Sequence, residues 1–372
     1  MKGINIARSI LEGRKAKGIT QETLAHHMGV SKASVSKWET GQSYPDITLL
    51  PHLATYFNIS IDELVGYEPQ MTKEEIRKLY HQLSLDFATL PFEQVMDTCR
   101  ETMKKYYSCY PLLVQMCILL LNHFGEATTA ELRLETLEEC QDLCMRIKIE
   151  SDDLSLKRQA TFLEAICALS LRNPARVIDL LEPVNSPWIG DEVLVASAHY
   201  ALGDIAQAKE TAQVGIFQHL MAIFAILPNY LVFNVDDGVK YDQIMSRTLA
   251  LIELFEVESL HPAILFAVYL AGAQGYLMQG EEAKALDVLG RYVDLATADI
   301  YPIEFSGDAF FDKVDAWFAE LDLGVKPPRH DMSIRAGMVD ALVKDPVFAQ
   351  LKENVRFQNM VKKLEKLISR GD

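Results

Sequence analysis

The chain has 372 residues, 49% hydrophobic and 24% charged, with 19 glycines and 14 prolines. That is apolar mass for two or three cores, and it excludes disordered, collagen-like and low-complexity classes. The net charge of −16 argues, taken whole, against a nucleic-acid partner, but residues 1–44 hold seven Lys/Arg against three Glu, and residues 45–69 add four acids and no base. The excess negative charge therefore belongs entirely to the rest of the chain. An acidic body repels a phosphate backbone, so any nucleic-acid contact is expected in the basic N-terminal segment alone.

Ile4, Ala7, Ile10 and Leu11 share one face of a first predicted helix, which ends near Gly18. Thr20 caps a second, whose apolar face is Leu24, Ala25 and Met28 and whose exit is the Gly29-Val30 turn. Ser31 caps a third running to Thr40 and stopped by Gly41; a fourth spans about Asp46 to Phe57 and a fifth about Ser60 to Val65. The third helix sorts into two faces: Val35 and Trp38 on one, and Lys32, Ala33, Ser36, Lys37 and Thr40 on the other. The second set is small, polar or basic, which suits entry into a major groove roughly 12 Å wide. Gln21, opening the second helix, can offer a phosphate both its amide and the free N–H groups of that helix end.

The runs Thr20-Gln21-Glu22-Thr23-Leu24-Ala25, Gly29-Val30-Ser31, Ser34 to Gly41, Pro45-Asp46 and Ile59 to Leu64 resemble the Cro/repressor type of helix-turn-helix domain, the XRE family. The resemblance covers residues 4–66 and implies site roles by position. Gln21 and Thr40 would contact phosphates, Lys32, Ala33, Ser36 and Lys37 would face base edges, and Ser31 would cap the reading helix beside them. Arg14 would pair with Glu39 to hold the first helix on the third. Ala33 and Ser36 are short where some relatives carry amides, so base readout would rest on few contacts.

Residues 67–72 read as a linker, and Thr72 with Glu75 as a capping box opening a second domain, residues 73–372. Helix-length runs follow, with breaks expected at Pro91, Pro111, Gly125, Asn173-Pro174, Pro183 to Pro187, Gly203, Pro228, Gly238, Pro262, Gly280, Pro302 and Pro327-Pro328. No alternating strand pattern is seen, so the whole chain is expected to be all-α. Gly203 to Ala208 and Gly280 to Ala285 superimpose without a gap. Their spacing leaves room for one diverged helix pair near Phe217 to Ser259. These features resemble tetratricopeptide repeats, which implies an α-solenoid with a concave wall made of first helices. In that register the wall would carry Leu163, Cys167, Ser170, Val193, Ser197, Tyr200, Leu270, Gln274 and Leu277. Ser197, Tyr200 and Gln274, joined by Asn229 and Asn234 of the diverged unit, would hydrogen-bond a peptide or protein ligand.

Chemistry of other kinds is not expected. Gly13 to Thr20 has Ile19 where a P-loop needs its lysine. Cys140 and Cys144 lie four apart on a helix, but no His or Cys pair at ligand spacing answers them, so no metal or other cofactor is predicted. No nucleophile, base and orienter set is visible, so the chain is not expected to be an enzyme. The longest apolar runs, Pro111 to Leu121 and Ala263 to Ala273, fall short of the ~20 residues of a membrane span. Arg8 and Glu12 interrupt any signal-peptide core, and six cysteines with no C-x-x-C pair suit reduced thiols, so the expected location is the cytoplasm.

A DNA-binding head followed by such an array resembles the peptide-responsive regulators of Gram-positive bacteria. The resemblance implies a homodimer on double-stranded DNA, with a signalling peptide in the groove. Two alternatives stay open: a protein-interaction scaffold with a DNA-targeting head and no small ligand, and a constitutive dimeric repressor whose groove is filled by its own side chains.

Overall fold

The computed structural model describes residues 6–67, 70–182 and 190–368. Ile4 of the first predicted helix, Pro69 in the expected linker and the Pro183 to Pro187 break lie outside the described residues. The chain divides into two compact units, residues 1–72 with 105–109, and residues 73–104 with 110–372.

The first unit holds α1 (Ile6–Ala16), α2 (Gln21–Met28), α3 (Lys32–Glu39), α4 (Leu50–Phe57) and α5 (Ile61–Val65). Sequence signals set each boundary. Thr20 and Ser31 accept from the backbone N–H groups of Thr23 and Ser34, and Ser60 and Glu63 form a reciprocal capping box. Gly29 takes φ 68° in the turn between α2 and α3, a conformation a β-carbon would resist. The predicted fourth helix instead opens as a 3-10 turn, Ile47–Leu49, capped by Asp46. Pro51, near the start of α4, has no N–H to donate, so the chain tightens before the α-helix begins. Ile10, Leu24, Val35, Leu53 and Leu64 are fully buried, and Trp38 and Phe57 nearly so. Gly13 lets the Phe57 ring lie against α1, since a β-carbon there would come within 2.8 Å of it.

Among its described residues the second unit has only helices as regular elements, with an irregular stretch over residues 297–314. It begins with α6 (Lys73–Thr89), α7 (Phe92–Lys105), α8 (Tyr110–His123), α9 (Ala130–Glu150), α10 (Leu154–Ser170), α11 (Pro174–Leu181) and α12 (Asp191–Ala201). It continues with α13 (Ile205–Val232), α14 (Gly238–Leu254), α15 (Val257–Leu260), α16 (Pro262–Met278), α17 (Glu282–Ala296), α18 (Asp315–Glu320), α19 (Asp331–Val343) and α20 (Val355–Ile368). α8 to α11 pack in sequence, and α12 with α13 and α16 with α17 form helical hairpins. The turns of those two hairpins are at Gly203 and Gly280, at φ 83° and 78°.

Two expectations are corrected here. The break at Pro228 does not occur, because α13 runs unbroken for 28 residues through it. Proline forgoes one i→i−4 bond, but Phe224 and Leu231 beside it are fully buried, and that packing holds the helix together. The region of the expected diverged pair holds the second half of α13, then α14 and most of α15, with no turn separating it from the preceding hairpin. α13 is also long and apolar enough to cross a bilayer by length and composition. One side of it nevertheless packs into the core through Phe217, Leu220, Phe224 and Leu231.

A further feature is absent from any open array. Arg77 on α6 donates to the carbonyls of Ala319, Leu321 and Asp322, His81 meets Leu323 O at 3.0 Å, and Ser84 donates to Pro328 O. Gln115 on α8 adds a bond to the Asp322 carboxylate at 3.0 Å. The first helix of the unit is thus laced to a segment some 240 residues later.

Candidate nucleic-acid interface

α3 buries Val35 and Trp38 and exposes Lys32, Ala33 and Lys37, with Ser36 half-buried among them. Its N-terminal cap, Ser31, is exposed, and its C-terminal cap Thr40 turns its hydroxyl back to Ser36 O at 2.9 Å. The basic groups are not equally free. Lys32 Nζ lies 4.0 Å from Glu22, with side chains 63% and 80% exposed, a pairing worth little in water.

The helix is held by an inner polar network. Arg14 donates to both oxygens of Glu39, at 2.5 and 3.0 Å, and to Ile19 O at 2.8 Å; the two side chains are only 15% and 4% exposed. Gln21 gives its amide to Glu39 Oε2 at 2.9 Å. Burial alone would raise the Glu39 carboxyl, but the bonds from Arg14 and Gln21 outweigh it and hold the group below the usual carboxylate range. One carboxylate thus ties the ends of α1, α2 and α3 together. The Gln21 side-chain N–H is engaged inside the protein, which leaves its carbonyl and the α2 backbone N–H groups as its outward offering. Gln42 and Tyr44, exposed just beyond α3, were passed over in the sequence pattern because no periodicity marks a loop. The N–H of Gln42 bonds Lys37 O at 2.9 Å, which fixes the loop to the helix end.

The residues expected on a ligand-binding wall do not converge. Leu163, Cys167 and Leu277 are buried core residues instead. Gln274 donates to Asp345 at 2.6 Å, so its amide is occupied by the chain's own C-terminal segment. Ser197 bonds Val193 O within α12, and Asn234 bonds Tyr230 O at the end of α13. Tyr200 and Asn229 are exposed, as are Ser170 and Val193, while Leu270 is half-buried. Gln274 is thus taken up by a residue distant in sequence, whereas Ser197 and Asn234 bond carbonyls one turn back on their own segment.

Ser84, His123 and Glu126 stand in nucleophile, base and acid order, with Ser84 Oγ 3.4 Å from Nε2 and Glu126 3.1 Å from Nδ1. Ser84 is 2% exposed and His123 fully buried against Phe87. With the hydroxyl bonded to Pro328 O, this line fastens α6 and α8 to the distant segment.

Residues 10–64 match the family described as Helix-turn-helix. Two curated relatives align with the same end of the chain. The HTH-type transcriptional activator BcrR of Enterococcus faecalis is 36% identical over 76 residues, covering 19% of this chain and 37% of that protein. The cryptic phage CTXphi transcriptional repressor RstR of Vibrio cholerae serotype O1 is 36% identical over 63 residues, covering 17% of this chain and 56% of that protein. Among solved structures, the apo form of the competence regulator ComR from Streptococcus vestibularis is 16% identical, covers 85% of this chain and 97% of its own, and has a TM-score of 0.26. ComR from S. thermophilus in complex with DNA and its signalling peptide ComS is 14% identical, covers 79% of this chain and 93% of its own, and has a TM-score of 0.18. Neither superposition is close enough to transfer a fold or an activity. The matched region and the geometry of α2, the Gly29 turn and α3 agree: the N-terminal unit of this chain is a helix-turn-helix domain.

Proposed function

We propose that the chain is a sequence-specific, DNA-binding transcriptional regulator of the cytoplasm, acting as a homodimer, with no enzymatic step. One observation carries the reading: α3 turns an exposed face of Lys32, Ala33, Ser36 and Lys37 outward while the Arg14–Glu39–Gln21 network fixes its orientation from behind. Phosphate neutralisation supplies sequence-independent affinity, and the lysines on α3 read base acceptors. Gln21, Thr40, Gln42 and Tyr44 flank that helix as phosphate contacts. Two copies place two such helices about 34 Å apart, or a multiple of it, on an inverted repeat.

The acidic helical unit, residues 73–372, dimerises and senses a peptide or protein. Its exposed apolar side chains support this role: Val193 and Tyr200 lie open on α12, and Ile223, Ile226 and Tyr230 lie open on α13, as does Asn229. The test is anisotropy of the full chain on a selected operator, with native mass spectrometry of protein purified from its host. Retained peptide and a dimeric mass support the reading; a monomer with no preference among duplexes defeats it. A second reading, in which the unit only dimerises the heads, is favoured by the Gln274–Asp345 bond, which spends an expected ligand contact internally. In that case operator affinity is unchanged by peptide-rich extract.

A further inference from the structure

Three of the six cysteines come together inside the second unit, and a fourth is buried on the helix packed against them. Cys117 on α8 and Cys140 and Cys144 on α9 bring their sulfurs within 4.8 Å of one another. Cys167 is buried on α10, which packs against both α8 and α9. All four are buried, none is in a disulfide, and they come from three successive helices. The spacing has a chemical meaning. Cys117 Sγ lies 3.6 Å from Cys144 Sγ, and sulfurs bound tetrahedrally to zinc at ~2.3 Å stand about 3.8 Å apart. Apolar packing alone does not require this, because thiols offer only weak hydrogen bonds. Here the S–H groups of Cys117 and Cys140 reach only each other's backbone carbonyls, at 3.9 and 3.6 Å.

We propose that Cys117, Cys140, Cys144 and Cys167 form a structural zinc site that pins α8, α9 and α10 together. Four sulfur ligands and no open position mark it as structural rather than catalytic. The soft donor set selects zinc over magnesium or calcium. Each thiol that ligates gives its proton to solvent, so metal uptake releases protons and no redox partner is needed. The site is independent of the DNA-binding reading.

The test uses the reduced, full-length chain freed of metal and titrated with Co2+ as a spectroscopic probe. Binding should saturate at one metal per chain, with a near-ultraviolet thiolate-to-cobalt band and the strong visible bands of tetrahedral cobalt, both bleached by added Zn2+. Cys144→Ser should weaken binding by more than about 10-fold, while Cys99→Ser, outside the cluster, should leave it unchanged. Should Cys144→Ser fold poorly by circular dichroism, wild-type melting decides: zinc should raise the Tm of the metal-free chain. An absent thiolate band at excess cobalt, a weak octahedral spectrum, bands that persist in the Cys117→Ser/Cys144→Ser double variant, or an unmoved Tm would each overturn the site.

Discussion

The two units of the chain are both helical, yet they are specified at different ranges. In the first, Thr20, Ser31, Asp46 and Ser60 each close a helix start through a bond two or three residues away, and every buried residue lies within about sixty positions of its partners. In the second, the decisive bonds run from α6 to residues 319–328, from Gln274 to Asp345, and among cysteines on α8 and α9. Local specification makes the head modular. The body depends on partners that only the complete fold supplies.

The sharpest way to break that contrast is to remove a long-range polar junction. Glu164 on α10 is fully buried and is paired with Lys148 of α9 and Arg176 of α11. Glu164→Ala removes the shared partner of two cations that are 23% and 40% exposed, so solvent screening reduces the cost of a broken buried pair to about 2 kcal/mol. Denaturant melting should show that loss in the transition of the second unit while the first keeps its own. Loss of both together would mean that the head is not modular.

Glu39→Ala is the corresponding cut in the head, expected to cost about 3 kcal/mol, since one carboxylate serves both Arg14 and Gln21. The linked pH effect has a definite sign. The folded Glu39 carboxyl lies below its ordinary value, so its contribution is complete above the unfolded carboxylate pKa and is lost as pH falls through the folded one. Glu39→Gln should therefore flatten the acid limb of head stability, as followed by Trp38 fluorescence.

Function gives the next step down. Lys37→Ala should weaken specific DNA binding by ~1–3 kcal/mol and relax preference at one base pair, with little change in melting. Gln21→Ala should weaken all duplexes alike, and it also removes a bond to Glu39, so some stability should go with it. The smallest effect belongs to Glu22→Gln. It frees Lys32 from a pair at 4.0 Å between largely exposed side chains, so stability should change by less than about 0.5 kcal/mol. Salt-dependent DNA affinity should rise slightly.

The same contrast sets how much could be read from sequence. The five head helices, the buried Val35 and Trp38 and the polar face of α3 follow from period and caps, which are local quantities. The Arg14–Glu39 pairing came from family resemblance; nothing in the residues alone requires it, and the amide bond from Gln21 was not foreseen. In the body, the helical class and the Gly203 and Gly280 turns were legible. Pro228 was not, because a local rule about a missing N–H was overruled by the burial of Phe224 and Leu231. Cys140 and Cys144 showed part of the sulfur cluster; Cys117 lies 23 residues before Cys140, and only the packing of α8 on α9 brings it in.

The lacing of α6 to residues 319–328 gives the body a circular logic. Its first helix, α6, is secured by carbonyls some 240 residues further along the chain. Any event that loosens residues 319–328 therefore releases Arg77 and Ser84 of α6 and Gln115 of α8 together, so a change late in this unit's sequence is felt at its beginning.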